Sequence, residues 1–204
     1  MLKIVKDSRE SAVIEAAFRT FLGYGYKRTT MDDIARAAGM SRPALYLVYK
    51  NKQDIFRACM LAMTDALRDN LSDVVKTPGT IAQRVRAVLQ EGIVVPHREI
   101  GMTPHAAEMF ALKSEIAPDL FKDWMGAIEA AIARALCDAA DAGEINVTLS
   151  GMSAADVAAI IVDATEGIKL RMESIDELPG RLDALVQLIV APLSKAGAAD
   201  IGSR

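Results

Sequence analysis

The sequence predicts an all-α fold with about nine helices, and its composition supports this. Aromatic residues make up only 5% of the chain, Ala and Leu are abundant, and long stretches contain neither Gly nor Pro. Such a composition is typical of packed helices rather than of sheets. With 204 residues and 51% apolar content, the chain can bury a full core in one or two domains, which excludes a disordered protein.

Charge is distributed unevenly along the chain. Residues 1–60 contain eleven Lys and Arg against six Asp and Glu, whereas the remaining residues contain thirteen against twenty-one. A basic head on an acidic body is typical of a polyanion-binding module joined to a domain that avoids polyanions. We therefore expect a nucleic-acid-binding motif within the first 60 residues.

The first predicted helix follows Asp7 or Ser8, either of which can cap it, and ends near Gly25. Its apolar residues recur with helical period. They are Ile14, Ala17, Phe18, Phe21 and Leu22. This stripe predicts a helix that packs one face against a core.

A helix-turn-helix pattern follows. Thr30 and Asp33 have the spacing of a capping box, which predicts a short helix over 31–38. Gly39 stands where the backbone needs a left-handed conformation to turn, and Ser41 can cap a third helix over 42–48. The residues predicted to pack where the two helices cross are Ile34, Ala35, Ala38, Met40, Leu45 and Val48.

The third helix has a face that can enter a major groove. If Leu45 and Tyr49 pack against the first two helices, the opposite face is left free. That face carries Pro43, Tyr46, Leu47 and Lys50. Because a proline in the first turn removes no helical hydrogen bond, the helix N-terminus can approach base edges closely.

Base contacts are predicted for the start of this helix. Arg42 is the best candidate for direct readout, because its guanidinium can pair with O6 and N7 of guanine. Pro43, Ala44 and Leu47 can offer only apolar contacts, such as to a thymine methyl group. Specificity is therefore expected to depend on few hydrogen bonds.

Phosphate contacts are predicted around the same helix, from hydroxyls, helix N-termini and cations. The residues are Thr29, Thr30, Ser41, Tyr46, Lys50 and Lys52. Four of them have a simpler alternative, in which Thr30 and Ser41 serve solely as helix caps, Tyr46 serves solely in packing, and Lys52 is solvated. The combination favours DNA binding more than any single residue does.

The segment from Thr30 to Tyr46, together with Tyr49 and residues 50–56, strongly resembles the tetracycline-repressor (TetR) family of regulators. The recognisable resemblance covers about residues 10–58, and Ala-Thr-Glu-Gly at 164–167 is similar to a late helix of the family. It implies a DNA-binding head, a helical C-terminal domain that senses a small molecule, a homodimer and, as the family default, repression.

The resemblance also bears on single residues. It implies backbone phosphate contacts for Thr30, Tyr46 and Lys52. Val48 departs from the pattern, because many family members carry an aromatic or His side chain there that touches phosphate. We expect Lys50 to compensate for that contact.

The predicted domains are a helix-turn-helix DNA-binding domain over 1–52 and a helical ligand-sensing and dimerisation domain over 53–204. A long fourth helix from Asn51 to about Asp69 connects them. Breaks are expected around Pro96 and Pro104, and Gly143 is expected to end the seventh helix. The remaining helices are predicted over 80–95, 105–113, 118–143, 153–172 and 179–196.

The last two helices carry wide apolar or small-residue faces, more than one core should need. We predict that they pair with their copies across a two-fold axis as a four-helix bundle, as in the resembled family. The predicted interface consists of Val157, Ala158, Ile161, Val162, Thr165, Leu182, Leu185, Val186 and Ile189. The alternative is that these faces form only an intramolecular core.

Flexible and aromatic side chains concentrate in helices four to seven, as adaptable apolar pockets require. They are Met60, Met63, Met102, Met109, Phe110, Phe121, Trp124 and Met125. Ordinary core packing explains them equally well. As a hypothesis, a lipophilic effector wedges among these helices, moves the fourth helix and changes the separation of the recognition helices.

Other classes have weaker support. His97, Glu99, His105 and Glu108 could suggest an enzyme, since His105 and Glu108 are spaced one helical turn apart. No third metal ligand at a suitable spacing and no catalytic motif accompanies that pair. A sequence-neutral architectural DNA-binding protein is the second alternative. No cofactor is expected.

The remaining sequence signals concern compartment and thiols. The charged N-terminus lacks a secretory h-region, and the apolar stretches at 157–162 and 185–193 fall short of a membrane span, so we expect a cytoplasmic protein. Cys59 and Cys137 show no metal-binding or redox spacing and are expected to be buried, reduced thiols.

Overall fold

The computed structural model describes residues 9–147 and 151–193, and the predicted all-α fold is confirmed. These residues form nine helices when a helix with an internal π-helical turn is counted once. The helices are α1 (Arg9–Tyr24), α2 (Met31–Ala37), α3 (Arg42–Val48), α4 (Lys52–Val74), α5 (Ile81–Leu89, Gln90–Val94 and Val95–Gly101), α6 (Ala106–Glu115), α7 (Pro118–Asp141), α8 (Ala154–Leu170) and α9 (Leu178–Val190).

Two predicted features fall outside the described residues. They are the cap of the first helix at Asp7 or Ser8 and the last turn of the final helix toward residue 196. The fourth helix is longer than predicted, because it continues to Val74 rather than ending near Asp69.

The chain forms two compact units that do not follow a single cut in the sequence. One unit comprises residues 1–67 and 98–124, and the other comprises residues 68–97 and 125–204. The first unit contains the helix-turn-helix, which we call the head (residues 9–58), together with α6. The predicted functional boundary between 52 and 53 therefore remains a prediction.

The core of the first unit is built around three aromatic rings. The ring centroids of Phe21, Tyr26 and Phe56 lie 5.2 to 6.0 Å apart in tilted and edge-on arrangements, which aromatic pairs prefer. Leu45 from α3 and Met109 from α6 are buried in the same cluster. The head and α6 thus share one hydrophobic core.

The predicted turns of the head are confirmed. Gly25 ends α1 with a φ of +84°, and Gly39 follows α2 with a φ of +67°. Both values lie in the left-handed region that side chains with a Cβ disfavour. These two glycines therefore fix where the first two helices stop.

The predicted break around Pro96 is wrong, because α5 continues through it. A π-helical turn over Gln90–Val94 lets the Val95 N–H donate to the Gln90 carbonyl, and Pro96 then falls in the first turn of the next segment, where an N–H is not required. A Cβ on Gly92 would lie 2.7 Å from the Ile128 side chain. The turn therefore coincides with a close helix–helix approach.

In the second unit, α9 packs on α5 and on α8. Ser153 caps α8 through a capping box with Asp156, as the predicted helix start requires. Gly143, with a φ of +69°, follows the end of α7. Cys59 is buried, as predicted, but Cys137 is exposed on α7, so the prediction of two buried thiols is wrong for Cys137.

Candidate nucleic-acid interface

The start of α3 presents one side to solvent and the other to the core. Leu45 is fully buried and Tyr49 is half-buried, which is the orientation that the sequence predicts. Exposed or half-exposed positions around them are Ser41, Arg42, Pro43, Ala44, Tyr46, Leu47 and Lys50. Leu47 is 89% exposed. Its apolar surface is therefore available to a partner such as a thymine methyl group.

Arg42 lies in a small surface cluster with two other side chains. Its Nη1 atom donates to Oδ2 of Asp32 at 3.1 Å, and its guanidinium lies 5.5 Å from the centroid of the Tyr46 ring. Tyr46 and then Asp32 raise the pKa of Arg42 above its ordinary value. The guanidinium is thus held as a cation at the first turn of α3.

Thr30 and Ser41 cap the two helices of the motif and remain exposed. The Thr30 Oγ1 accepts from the Asp33 N–H at 3.2 Å, and the Thr30 N–H donates back to the Asp33 carboxylate at 2.9 Å. The Ser41 Oγ accepts from the Ala44 N–H at 3.4 Å. The Ser41 hydroxyl lies at the surface, where it can also contact phosphate. The Thr30 hydroxyl already donates its one proton to the Asp33 carboxylate at 2.6 Å, which argues against a phosphate contact.

The placement of Thr29 argues against a phosphate contact. Its side chain is 2% exposed, and its hydroxyl donates to the Gly25 carbonyl at 2.7 Å. Its backbone N–H also donates to Gly25 and Tyr26 carbonyls. Thr29 therefore closes the α1–α2 turn from inside.

The placement of Lys52 also corrects its predicted role. Its ammonium donates to the carbonyls of Tyr26, Lys27 and Thr29 at 2.7, 3.2 and 3.0 Å, and it lies 4.5 Å from the Tyr26 ring centroid. Burial lowers the pKa of Lys52. Because an ammonium has three N–H donors, these contacts use all of them within the protein. Lys52 consequently stabilises the packing of α4 against the turn that precedes α2, through these hydrogen bonds.

The same turn is held from α6. The Glu108 carboxylate accepts from the Lys27 N–H at 2.8 Å. A Cβ on Gly25 would lie 2.7 Å from Glu108 Oε2 and 3.0 Å from His105 Nδ1, so the turn and α6 are in close contact. Sequence reasoning considered His105 and Glu108 only as enzyme candidates and missed this contact, because 81 residues separate its partners.

A second tie joins α4 to the start of α7. Arg57 donates to both carboxylate oxygens of Asp119, at 2.8 and 2.6 Å, and to the Ile116 carbonyl at 3.0 Å. The hydrogen bonds from Arg57 lower the pKa of Asp119 to about 2. This bidentate pair fixes the 116–119 segment against α4.

Two further cations lie beside the motif. A surface hollow of about 430 Å³ between α1 and α2 is lined by Thr20, Tyr24, Arg28, Thr29, Asp33, Arg36 and Ala37. Arg28 and Arg36 are exposed there. Sequence reasoning did not select them, although both contribute to the basic charge of the head.

The residues predicted to line an effector pocket have different environments. Met63, Met109 and Trp124 are buried, whereas Met102 is 80% exposed. Met102 follows α5 in a turn. Half-buried positions are Met60, Phe110, Phe121 and Met125. The Phe121 ring has the Lys113 ammonium 4.0 Å from its centroid.

The second unit contains a hollow that is lined by residues other than the predicted effector residues. Its volume is about 420 Å³, and it is lined by Arg86, Ala87, Leu89, Gln90, Val94, Pro179, Gly180, Leu182 and Asp183. Arg86 and Asp183 form an ion pair. None of the predicted effector residues belongs to this lining or to that of the hollow in the head.

The described part of the chain has neither a metal-ligand cluster nor a helix suited to a membrane. Across 9–147 and 151–193, no three His, Cys, Asp or Glu side chains are grouped so that they could hold a metal ion. Within the same ranges, no helix has the length and apolarity needed to cross a membrane.

Comparison with known proteins identifies the head. Residues 13–59 match the family described as bacterial regulatory proteins, tetR family. The chain is 30% identical over 88 residues to the HTH-type transcriptional activator FasR of Mycolicibacterium smegmatis, a match that covers 43% of this chain and 40% of FasR. It is 28% identical over 134 residues to the HTH-type transcriptional repressor Rv1474c of Mycobacterium tuberculosis, covering 61% of this chain and 62% of that protein.

The likeness in fold extends over most of the chain. A crystal structure of a TetR transcription regulator from Haloarcula marismortui superposes with a TM-score of 0.70 at 18% sequence identity, covering 92% of this chain and 98% of that one. Residues 13–59 thus match the tetR family of bacterial regulatory proteins, and the fold of the chain is similar to that of a TetR transcription regulator. The matches to FasR and Rv1474c each span less than two thirds of the relative's length.

Proposed function

We propose that this protein is a homodimeric transcriptional regulator that binds a pseudo-palindromic DNA operator and is released from it by a small lipophilic effector. The observation that carries the proposal is the exposed first turn of α3 in a basic head that matches the tetR family. Helix-turn-helix proteins insert the N-terminal residues of their second helix into the major groove. An operator-binding protein works where chromosomal DNA is, so we place it in the cytoplasm.

The placement of the side chains supports a division of DNA contacts. Arg42 pairs with guanine in this proposal, and Pro43, Ala44 and Leu47 make apolar contacts in the groove. Phosphate contacts come from exposed groups on either side of α3. They are Ser41, Tyr46 and Lys50, supplemented by Arg28 and Arg36. Thr29, Thr30 and Lys52 are left out, because their donors are used within the head.

We propose that the dimer forms through the outer faces of α8 and α9. Most of the residues predicted for the interface are buried within the second unit, namely Val157, Ala158, Ile161, Val162, Thr165, Leu182 and Val186. Leu185 and Ile189 are half-buried, and the adjoining Ile160 and Leu188 are exposed. Leu188 is 76% exposed, so its apolar surface is available to a second subunit, whereas the buried faces are already covered within the unit.

Light scattering tests the dimer. We expect Leu188→Arg to convert a dimer at micromolar concentration into a monomer, because it places charge in an apolar interface. Leu47→Arg is the matched control, since Leu47 is similarly exposed but lies on α3, and it should remain dimeric. A dimer that persists in Leu188→Arg would place the interface elsewhere.

We propose that an effector acts through two sets of hydrogen bonds in the first unit. Glu108 of α6 holds the turn before α2, and Arg57 of α4 holds Asp119. In this proposal, a ligand that enters among the Met and aromatic side chains of α4, α6 and α7 shifts these two contacts. Such a ligand changes DNA affinity only if it binds the two states unequally.

The direction of regulation is proposed as repression. FasR is named an activator and Rv1474c a repressor, so both directions occur among the relatives. Repression follows from operator occupancy alone, without a contact to the transcription machinery. A reporter gene behind the operator should rise in expression when this gene is deleted.

Selection of bound sequences from random duplex DNA tests the function. We expect enrichment of a palindrome whose half-sites lie about one helical turn, or a multiple, apart. Arg42→Ala should relax preference at one base position per half-site by about 1–3 kcal/mol. Arg19→Ala, which removes an exposed arginine from α1, is the matched control and should leave the preference unchanged.

A sequence-neutral architectural protein would give a different result. Its affinity would fall steeply with salt, but it would bind the selected and random sequences equally. A regulator should prefer its operator by ~10³-fold or more. Absence of any enriched sequence would therefore contradict the proposed function.

A further inference from the structure

We propose that Asp32 is a specificity-determining residue that positions Arg42 for base recognition and reduces binding to DNA of other sequences. The inference rests on the proposed function, because it assumes that α3 enters the major groove. Asp32 itself does not contact DNA in this proposal. It acts through Arg42.

The geometry that carries the inference joins two helices of the motif. Asp32 lies in the first turn of α2 and Arg42 is the first residue of α3, and Nη1 of Arg42 lies 3.1 Å from Oδ2 of Asp32. Tyr46, one helical turn after Arg42, places its ring centroid 5.5 Å from the guanidinium. The guanidinium thus contacts a carboxylate and lies close to an aromatic ring. These contacts limit the rotamers that a long exposed side chain would otherwise sample.

The guanidinium can keep this contact while it reads a base. Arginine has five N–H donors, and the hydrogen bond to Asp32 uses one of them. Guanine recognition needs two, directed at O6 and N7. Asp32 can therefore set the direction of the arginine without occupying the donors that recognition requires.

The position of the charge supports a role in discrimination. A carboxylate on a surface that faces a polyanion repels phosphate, so it lowers affinity for every sequence. Asp32 also neutralises part of the attraction between Arg42 and phosphate. At a matching guanine, the directed hydrogen bonds offset this loss, and elsewhere they do not. Asp32 should therefore widen the difference between operator and random DNA.

A simpler role is stabilisation of the α2 N-terminus, where acidic residues are favourable. Asp33 already supplies the capping carboxylate there. Helix stabilisation alone predicts that loss of Asp32 lowers the melting temperature and leaves base preference unchanged. The two roles can therefore be separated by measuring binding to several sequences.

The test uses Asp32→Asn in the full-length protein, with binding measured against the selected operator, the operator altered at the guanine assigned to Arg42, and random duplex. We expect affinity for random DNA to rise about 3-fold to 10-fold, because a negative charge is removed from the interface. Preference for the guanine should fall about 5-fold to 10-fold. Affinity for random DNA thus rises while guanine preference falls. A loss of folding cannot produce this result, because it would lower affinity for every duplex.

Two controls complete the design. Glu15→Gln removes a carboxylate from the exposed face of α1 and should leave guanine preference unchanged. In the Arg42→Ala background, Asp32→Asn should have no further effect on guanine preference, because the residue it positions is absent.

Several results would overturn the inference. If Asp32→Asn changed the affinity for all three duplexes equally, Asp32 would act only through its charge and would not influence base preference. A loss of guanine preference that persists in the Arg42→Ala background would show that Asp32 acts without Arg42. If the wild-type protein selects no sequence, the proposed function fails first, and the inference fails with it. A wild-type operator preference that Asp32→Asn does not alter would overturn the inference alone.

Discussion

Two neighbouring regions of the head contain cations of the same charge in opposite circumstances. In the turn from Gly25 to Thr29, the ammonium of Lys52 is surrounded by three carbonyl acceptors. Arg42 at the start of α3 and Lys50 just after its end lie at the surface, and Arg42 donates to the exposed side chain of Asp32 rather than to backbone carbonyls. Lys52 and Arg42 carry the same charge, but they differ in how many of their N–H donors are used within the protein. A cation whose donors are all used is structural, and one with donors left over can bind DNA.

The largest expected effect is on stability, and it distinguishes the buried Leu45 from the exposed Leu47 on the same helix. Leu45→Ala should lower the free energy of unfolding by about 2–5 kcal/mol, because Leu45 is fully buried in the core of the first unit. Leu47→Ala should change it by less than about 0.5 kcal/mol but weaken operator binding. Chemical denaturation and a DNA-binding titration measure the two effects. Strong destabilisation by Leu47→Ala would contradict the assigned orientation of α3.

The next effect compares the two lysines. Lys52→Met should cost about 1–3 kcal/mol of stability, because three carbonyls of the turn lose their donor. Lys50→Met should leave stability nearly unchanged and reduce the salt dependence of DNA binding by about one phosphate contact. The measurements are thermal melting and binding affinity over a range of salt concentrations. If Lys50→Met instead lowered stability and Lys52→Met instead reduced the salt dependence, Lys52 would be a phosphate contact after all.

The smallest effect concerns the pH dependence of the Arg57–Asp119 tie. The folded pKa of Asp119 is lowered from 3.8 to about 2, so its stabilising contribution is complete above the unfolded pKa and is lost as the pH falls toward about 2. Asp119→Asn should melt below the wild type at neutral pH, and the difference should shrink through this acidic range. A difference that stays constant would mean that the ionised carboxylate does not contribute.

Local signals explain the parts of the head that the sequence predicted. Gly25 and Gly39 need a left-handed backbone, and Thr30 and Ser41 cap the next helices through partners three residues away. Each of these features is decided within four residues along the chain. The exposed start of α3 followed from the same local pattern.

Contacts between distant residues explain what the sequence did not predict. The Asp32–Arg42 and Lys27–Glu108 contacts join residues 10 and 81 positions apart. The π-helical turn of α5 lies where Gly92 meets Ile128 on another helix. Likewise, the apolar pattern of α8 identified a wide buried face but could not distinguish an intramolecular partner from a second subunit.

Methylation interference on the selected operator tests the central claim most directly. Methylation at N7 of one guanine in each half-site should block binding of the wild-type protein, because N7 is an acceptor for Arg42 in the proposed complex. The same modification should have little effect on binding of Arg42→Ala. Equal interference for both proteins, or no interference at any guanine, would contradict base recognition by the exposed start of α3.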